Sequence, residues 1–156
     1  MQRKLLLTLL LLATTAVAAL AQVKFSVSTK RVSPTEIDII FTGKADAGWH
    51  IYGTDIAPGG PTAATFGVDA IKVAKLKGKL KEGAGIKRKH DPIFDMPVTY
   101  FENTATFTQR IELTEKDYDV KGYLQYGACD DQSCLPPTSV DAAVKGSDGP
   151  ENAPAA

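Results

Sequence analysis

Thr104-Ala-Thr-Phe-Thr-Gln-Arg-Ile-Glu-Leu113 is the stretch that decides the fold class. Ala105, Phe107, Ile111 and Leu113 share one parity, so the period is two. That marks a strand with one face turned to a core. The same period runs outward along the chain. Val23, Phe25 and Val27 alternate with polar neighbours, and Glu36 to Gly43 is β-branched and aromatic. In Trp49-His50-Ile51-Tyr52, Trp49 and Ile51 fall on one face and His50 and Tyr52 on the other; Trp49 reads as core. Ile71 to Leu80 is a weaker strand with lysines between its apolar residues, and Val98 to Phe101 is short. Val120 to Ala128 puts Leu124, Tyr126 and Ala128 on one side, and a last strand runs from about Thr138 to Val144. No segment beyond the first twenty or so residues carries a convincing helical repeat. Seven to nine short strands with turns between them predict an all-β, immunoglobulin-like antiparallel β-sandwich. Two stretches interrupt the pattern. Ala57-Pro58-Gly59-Gly60-Pro61 reads as a loop, and Gly83 to Pro97 has little periodicity. Loops of that length in a compact domain are often functional.

The N-terminus reads differently. Arg3 and Lys4 precede the apolar run Leu5 to Leu12, and small residues lead to Ala19-Leu20-Ala21. A positive n-region, an apolar h-region and an A-x-A site together describe a secretory signal peptide. The apolar core is shorter than the roughly 20 residues of a membrane span. With no cysteine beside the cleavage site, no lipoprotein anchor is expected. The mature chain is expected to begin at Gln22, to be exported and to stay out of the bilayer. Its about 135 residues suit one domain with a sizeable core, spanning 22–145. Gly146 to Ala156, rich in Gly, Pro, Ala and acidic residues, is expected to be disordered. The whole chain of 156 residues has 18 basic and 18 acidic residues. That balance gives no support to a nucleic-acid partner, which needs a concentrated positive surface. The lysines between Lys72 and Lys89 read as a solvated edge strand and loop, because lysine blunts exposed sheet edges.

The chain has two cysteines, Cys129 and Cys134, enclosing Asp130-Asp131-Gln132-Ser133. They lie between two predicted strands, at the tip of a hairpin. Opposed residues of an antiparallel ladder lie about 4.5–5.5 Å apart between Cα atoms, within the about 4.4–6.8 Å that a disulfide needs. An exported protein meets an oxidising compartment, so the bridge can persist. As a staple it is poor. A six-residue closed loop stabilises by only about 2 kcal/mol, against more than ~4 for a bridge spanning about 70 residues. Cys129 has the parity of Tyr123 and Gln125, so it is expected to point away from the main core. From chemistry alone, an exchanging redox pair and a simple staple both stand. The spacing is not C-x-x-C, no helix follows, and Asp130 and Asp131 raise rather than lower a neighbouring thiol pKa.

Tyr123-Leu-Gln-Tyr-Gly-Ala-Cys129-Asp-Asp-Gln-Ser-Cys134-Leu-Pro-Pro137 resembles the cysteine hairpin of the N-terminal periplasmic domain of the DsbD family of transmembrane thiol:disulfide reductases. Gly48-Trp49-His50-Ile51-Tyr52 is similar to that family's strand beside the site. His90-Asp91-Pro92-Ile93-Phe94 is similar to its cap loop, and Val98-Thr99-Tyr100-Phe101 with Ala105-Thr-Phe107 to the strands that follow. The resemblance covers roughly residues 25 to 144. It implies an immunoglobulin-like fold and a periplasmic, thiol:disulfide oxidoreductase-type electron transfer with no cofactor. The implied partners are a membrane thiol:disulfide reductase and soluble thioredoxin-like periplasmic proteins. Cys129 and Cys134 carry over as the redox pair, with Cys134 forming the mixed disulfide. Tyr52 and His50 match positions flanking the cysteines, and Asp91 matches an acidic cap residue. Phe94, or Ile93, matches the aromatic that shields the disulfide. The family's membrane helices and C-terminal thioredoxin-like domain have no counterpart in this sequence, so the reductant is expected on a separate protein.

Two other functions compete. One is a binding or assembly module with an inert disulfide. The other is copper handling through Cys129, Cys134 and His50, His90 or Met96, since thiolate and thioether ligands suit Cu(I). With two histidines and two methionines in the chain, and none at ligand spacing beside the cysteines, that reading is the weaker. No Ser-His-Asp set, phosphate loop or zinc motif is legible.

Overall fold

The computed structural model describes residues 21–151. The expected leader and the last five residues therefore lie outside the described part. Among the described residues, eleven strands follow one another without a helix: β1 (Val23–Ser33), β2 (Glu36–Ala45), β3 (His50–Ile56), β4 (Thr65–Lys72), β5 (Ala74–Glu82), β6 (Lys87–Asp91), β7 (Met96–Glu102), β8 (Thr104–Leu113), β9 (Tyr118–Tyr126), β10 (Ala128–Cys129) and β11 (Thr138–Gly146). All pairings are antiparallel, in three sheets ordered β1-β2-β8-β5, β10-β3-β7-β6 and β11-β9-β4. The first sheet turns Ile37, Ile39 and Phe41 of β2 and Ala105, Phe107, Ile111 and Leu113 of β8 into one buried cluster. Facing them are Ile51, Phe101 and Ala128 from the second sheet and Val120, Leu124, Tyr126, Ala142 and Val144 from the third. The result is an all-β immunoglobulin-like sandwich, with β1-β2-β8-β5 as one layer and the two other sheets sharing the opposite one.

The structure places more strands than the periodicity predicts, and each addition has a physical reason. Ile71 to Leu80 is two strands in different layers, not one. Val73 sits at φ 53° between them, and its carbonyl accepts the Thr114 N–H at 3.0 Å. The aperiodic Gly83–Pro97 stretch contains β6, an edge strand whose side chains are engaged in surface pairs. Lys87 bonds Glu102 and Arg88 bonds Asp55, both at 2.5 Å. Val120 to Ala128 breaks at Gly127, where a Cβ would lie 2.7 Å from the Thr62 carbonyl oxygen. There the chain leaves the third sheet and enters the second. The lysine-rich β5 is an edge strand, as expected.

Gln109 is the polar exception on the inward face of β8, at 2% exposure. Its Nε2 donates to the Gly78 carbonyl at 3.1 Å and to the Arg110 carbonyl at 3.0 Å. Gly78 lies in the bulge where the β5 register shifts between Lys77 and Lys81, which frees that carbonyl from the ladder.

The segment expected to be disordered begins inside the fold. Gly146 closes β11, the Tyr118 hydroxyl donates to Asp148 at 2.8 Å, and Arg31 pairs with Asp148 at 2.8 Å. The Gly149 N–H donates to the Lys116 carbonyl at 2.9 Å.

Candidate functional site

Alternation leaves the sheet β10-β3-β7-β6 with a second apolar face. On β3, Ile51 enters the main core and Tyr52 the opposite side; on β10, Ala128 and Cys129 divide the same way. Tyr52, Val98, Tyr100 and Cys129 form a small buried cluster there, with Ile56, Phe94 and Met96 packed against it. Cys129 points away from the main core, as its parity predicts. It is buried there, because this second cluster encloses it.

Cys129 and Cys134 are joined by a disulfide, with their Cα atoms 4.0 Å apart and paired as an antiparallel bridge. The Leu135 N–H donates to the Ala128 carbonyl at 2.8 Å, and the Asp130 N–H to the Ser133 carbonyl at 2.9 Å. One carboxylate oxygen, Asp130 Oδ1, accepts from the Gln132 N–H at 2.9 Å, the Ser133 N–H at 2.6 Å and the Ser133 hydroxyl at 3.2 Å. These bonds, led by the Gln132 amide, hold the Asp130 carboxyl below its ordinary range. The two half-cystines are unequal. Cys129 is 2% exposed, whereas Cys134 is exposed. Both line a cleft of about 170 Å³ with Tyr52, Pro61, Thr62 and Phe94.

The opposite wall is the turn between β6 and β7, where Asp91 and Met96 flank Pro92-Ile93-Phe94-Asp95. Asp91 is 2% exposed. Its Oδ1 accepts from the Ile93 N–H at 2.8 Å and the Phe94 N–H at 3.3 Å, and its Oδ2 from the Tyr52 hydroxyl at 2.8 Å. Burial alone raises this carboxyl's pKa. The Tyr52 hydroxyl, the two amides and nearby Lys89 together outweigh it, and the net shift is downward. Tyr52 moves the other way: burial first, and then donation to Asp91, push its phenol well above the usual range. An ionised Asp91 therefore ties the turn to β3 and so to the floor of the site.

The sequence matches the family described as thiol:disulfide interchange protein DsbD, N-terminal, over residues 15–145. The chain belongs to this family. Its fold is similar to that of the Neisseria meningitidis DsbD N-terminal domain in the reduced form, with 18% identity, TM-score 0.52, and coverage of 79% of this chain and 86% of that one. It is also similar to the N-terminal periplasmic domain of ScsB from Proteus mirabilis, with 14% identity and TM-score 0.58. That match covers 86% of this chain and 49% of the ScsB chain, about half its length. No curated protein sequence matches. Among the described residues no helix is long and apolar enough to cross a membrane.

Within this DsbD-type domain, the residues singled out from the sequence divide into two groups. Cys129, Cys134, Tyr52 and Phe94 share the cleft, and Asp91 braces it from behind. Ile93 and His50 line an adjoining cleft instead, with Tyr52, Asp91, Asp130 and Asp131. Ile93 turns outward at 51% exposure, and Phe94 turns in. His50 is the backbone partner of Cys129, yet its Nε2 lies 3.5 Å from Glu102 Oε1 and its ring meets Tyr100 edge-on. His90 faces Asp95 at 2.8 Å. No three His, Cys, Asp or Glu side chains among the described residues are placed to share a metal ion. The sequence reading missed Pro61 and Thr62. The Pro-Gly-Gly-Pro run marked their loop, but its seat against Gly127 is a long-range contact with no local signal.

Proposed function

We propose that this chain is a periplasmic thiol:disulfide exchange module that passes electrons between a membrane thiol:disulfide reductase and soluble thioredoxin-like proteins. The unequal burial of the two cysteines carries the reading. A thiolate of the reductant approaches the accessible Cys134 sulfur, a bond forms between them, and the Cys129–Cys134 bond breaks with its electron pair going to Cys129. A second thiol of the reductant then resolves the mixed disulfide. Two electrons and two protons now rest on the Cys129–Cys134 dithiol, and the reductant leaves oxidised. The reverse sequence, with the Cys134 thiolate attacking a partner's disulfide, delivers them onward. Phe94 is the cap: an apolar side chain over the cleft excludes adventitious thiols until a matching partner displaces it. Asp91 and Tyr52 hold the cap turn in place. The signal-peptide pattern and the family membership support a periplasmic location.

Single-cysteine variants test this directly. The Cys129→Ser protein, which keeps the accessible thiol, is expected to form a mixed disulfide with a thioredoxin-like protein activated at its own cysteine. The Cys134→Ser protein, which keeps the buried one, is expected to form little. Equal trapping by both variants, or none by either, contradicts the proposal. An inert structural bridge in a binding module is the competing reading, and the reduction potential separates the two.

A further inference from the structure

Asp130 and Asp131 are adjacent in the cysteine hairpin, yet they are placed very differently. Asp130 Oδ1 gathers three donors from Gln132 and Ser133, and its own N–H closes onto the Ser133 carbonyl. Asp131 is exposed and makes no hydrogen bond among the described residues. The Asp130 bonds close the four-residue loop independently of the S–S bond. A side chain that accepts amides two and three residues on mimics a backbone turn and holds it.

We propose that Asp130 is a positioning residue that keeps the two sulfurs apposed in the dithiol and thereby sets the reduction potential of the pair. The inference rests on the exchange reading above and assigns the residue that tunes it. The relevant equilibrium is disulfide plus two glutathione giving dithiol plus glutathione disulfide. One protein S–S bond breaks, one glutathione S–S bond forms, and two protons pass from the glutathione thiols to the protein sulfurs. When the carboxylate is removed, the dithiol escapes the loss by opening its loop. The disulfide is locked closed and has no such escape. Removal therefore favours the dithiol, and the potential rises.

The experiment is glutathione equilibration with thiol trapping at one fixed pH on wild type, Asp130→Ala, Asp130→Asn and Asp131→Ala. Asp130→Ala is expected to shift the equilibrium about tenfold toward dithiol, about 30 mV upward for a two-electron couple. Asp130→Asn keeps an amide-accepting oxygen without the charge and is expected to stay within about threefold of wild type, as is Asp131→Ala. An unshifted Asp130→Ala, or equal shifts in all three variants, overturns the inference; equal shifts point to charge alone. The exchange reading is judged separately, by the absolute wild-type potential. The positioning role is judged by the ratios between variants. Because the loop lies outside both cores, far-UV circular dichroism is expected to be unchanged in every variant. If Asp130→Ala loses its fold, Ser133→Ala, which removes only the hydroxyl donor, takes its place: a shift toward dithiol smaller than tenfold is expected, and no measurable shift overturns the inference.

Discussion

Two short turns line one cleft, with Pro92 and Ile93 from one and Asp130 and Asp131 from the other, and they are built alike. In each, an aspartate accepts the amides two and three residues on: Asp91, the last residue of β6, from Ile93 and Phe94, and Asp130, just past β10, from Gln132 and Ser133. They differ in burial. Asp91 is enclosed and also holds the Tyr52 hydroxyl, so its turn is part of a small core. Asp130 is half-buried and holds only its own loop. The same local device therefore does two jobs. The buried copy fixes a wall of the cleft, and the half-buried copy holds the cysteine loop closed.

The comparison breaks most visibly at Asp91. Asp91→Ala leaves a buried tyrosine hydroxyl and two amides without their acceptor. It is expected to cost about 2–3 kcal/mol in urea unfolding, whereas Asp130→Ala leaves the midpoint close to wild type. Equal losses at the two aspartates would end the distinction. Acid sharpens it. A carboxyl whose native pKa is lowered contributes stability that is complete above its unfolded pKa of about 3.9 and is lost as pH falls through the native value. The stability gap between wild type and Asp91→Asn should therefore be constant from about pH 7 to 5 and narrow below about pH 4. A gap independent of pH would mean that the Asp91 charge is immaterial.

A smaller effect separates the two apolar residues of the cap turn. Phe94→Ala is expected to cost roughly 1–2 kcal/mol, below the 3–5 typical of a fully buried Phe. It is also expected to speed reduction of the disulfide by dithiothreitol severalfold. Ile93→Ala, at an exposed site, is expected to change stability by less than about 0.5 kcal/mol and the rate hardly at all. If Ile93 governs the rate and Phe94 does not, the cap is assigned to the wrong residue.

What was legible in the sequence follows the same divide between one-sided and two-sided strands. Ala105, Phe107, Ile111 and Leu113 betray their strand because one face is apolar and the other is not. Lys87–Asp91 hides its strand because an edge strand with ion-paired side chains has no such contrast. Val73 hides a turn because a β-branched residue at positive φ carries none of the usual turn chemistry. The cysteine loop was legible as a hairpin, and parity placed Cys129 off the main core. Its burial was not legible. It depends on Tyr52, Val98 and Tyr100 meeting on the reverse of a sheet whose strand order local periodicity does not encode. Alternation does not choose between Ile93 and Phe94 for a related reason. They lie in a turn, where alternation no longer says which side chain faces in.

The measurement that bears most directly on the central claim is the reduction potential of the wild-type Cys129–Cys134 couple, by glutathione or dithiothreitol equilibration with thiol trapping. An exchanging pair is expected to have a value between about −180 and −270 mV, as thioredoxin and protein disulfide isomerase do. A value below about −300 mV would mark the bridge as an inert structural link and contradict the account.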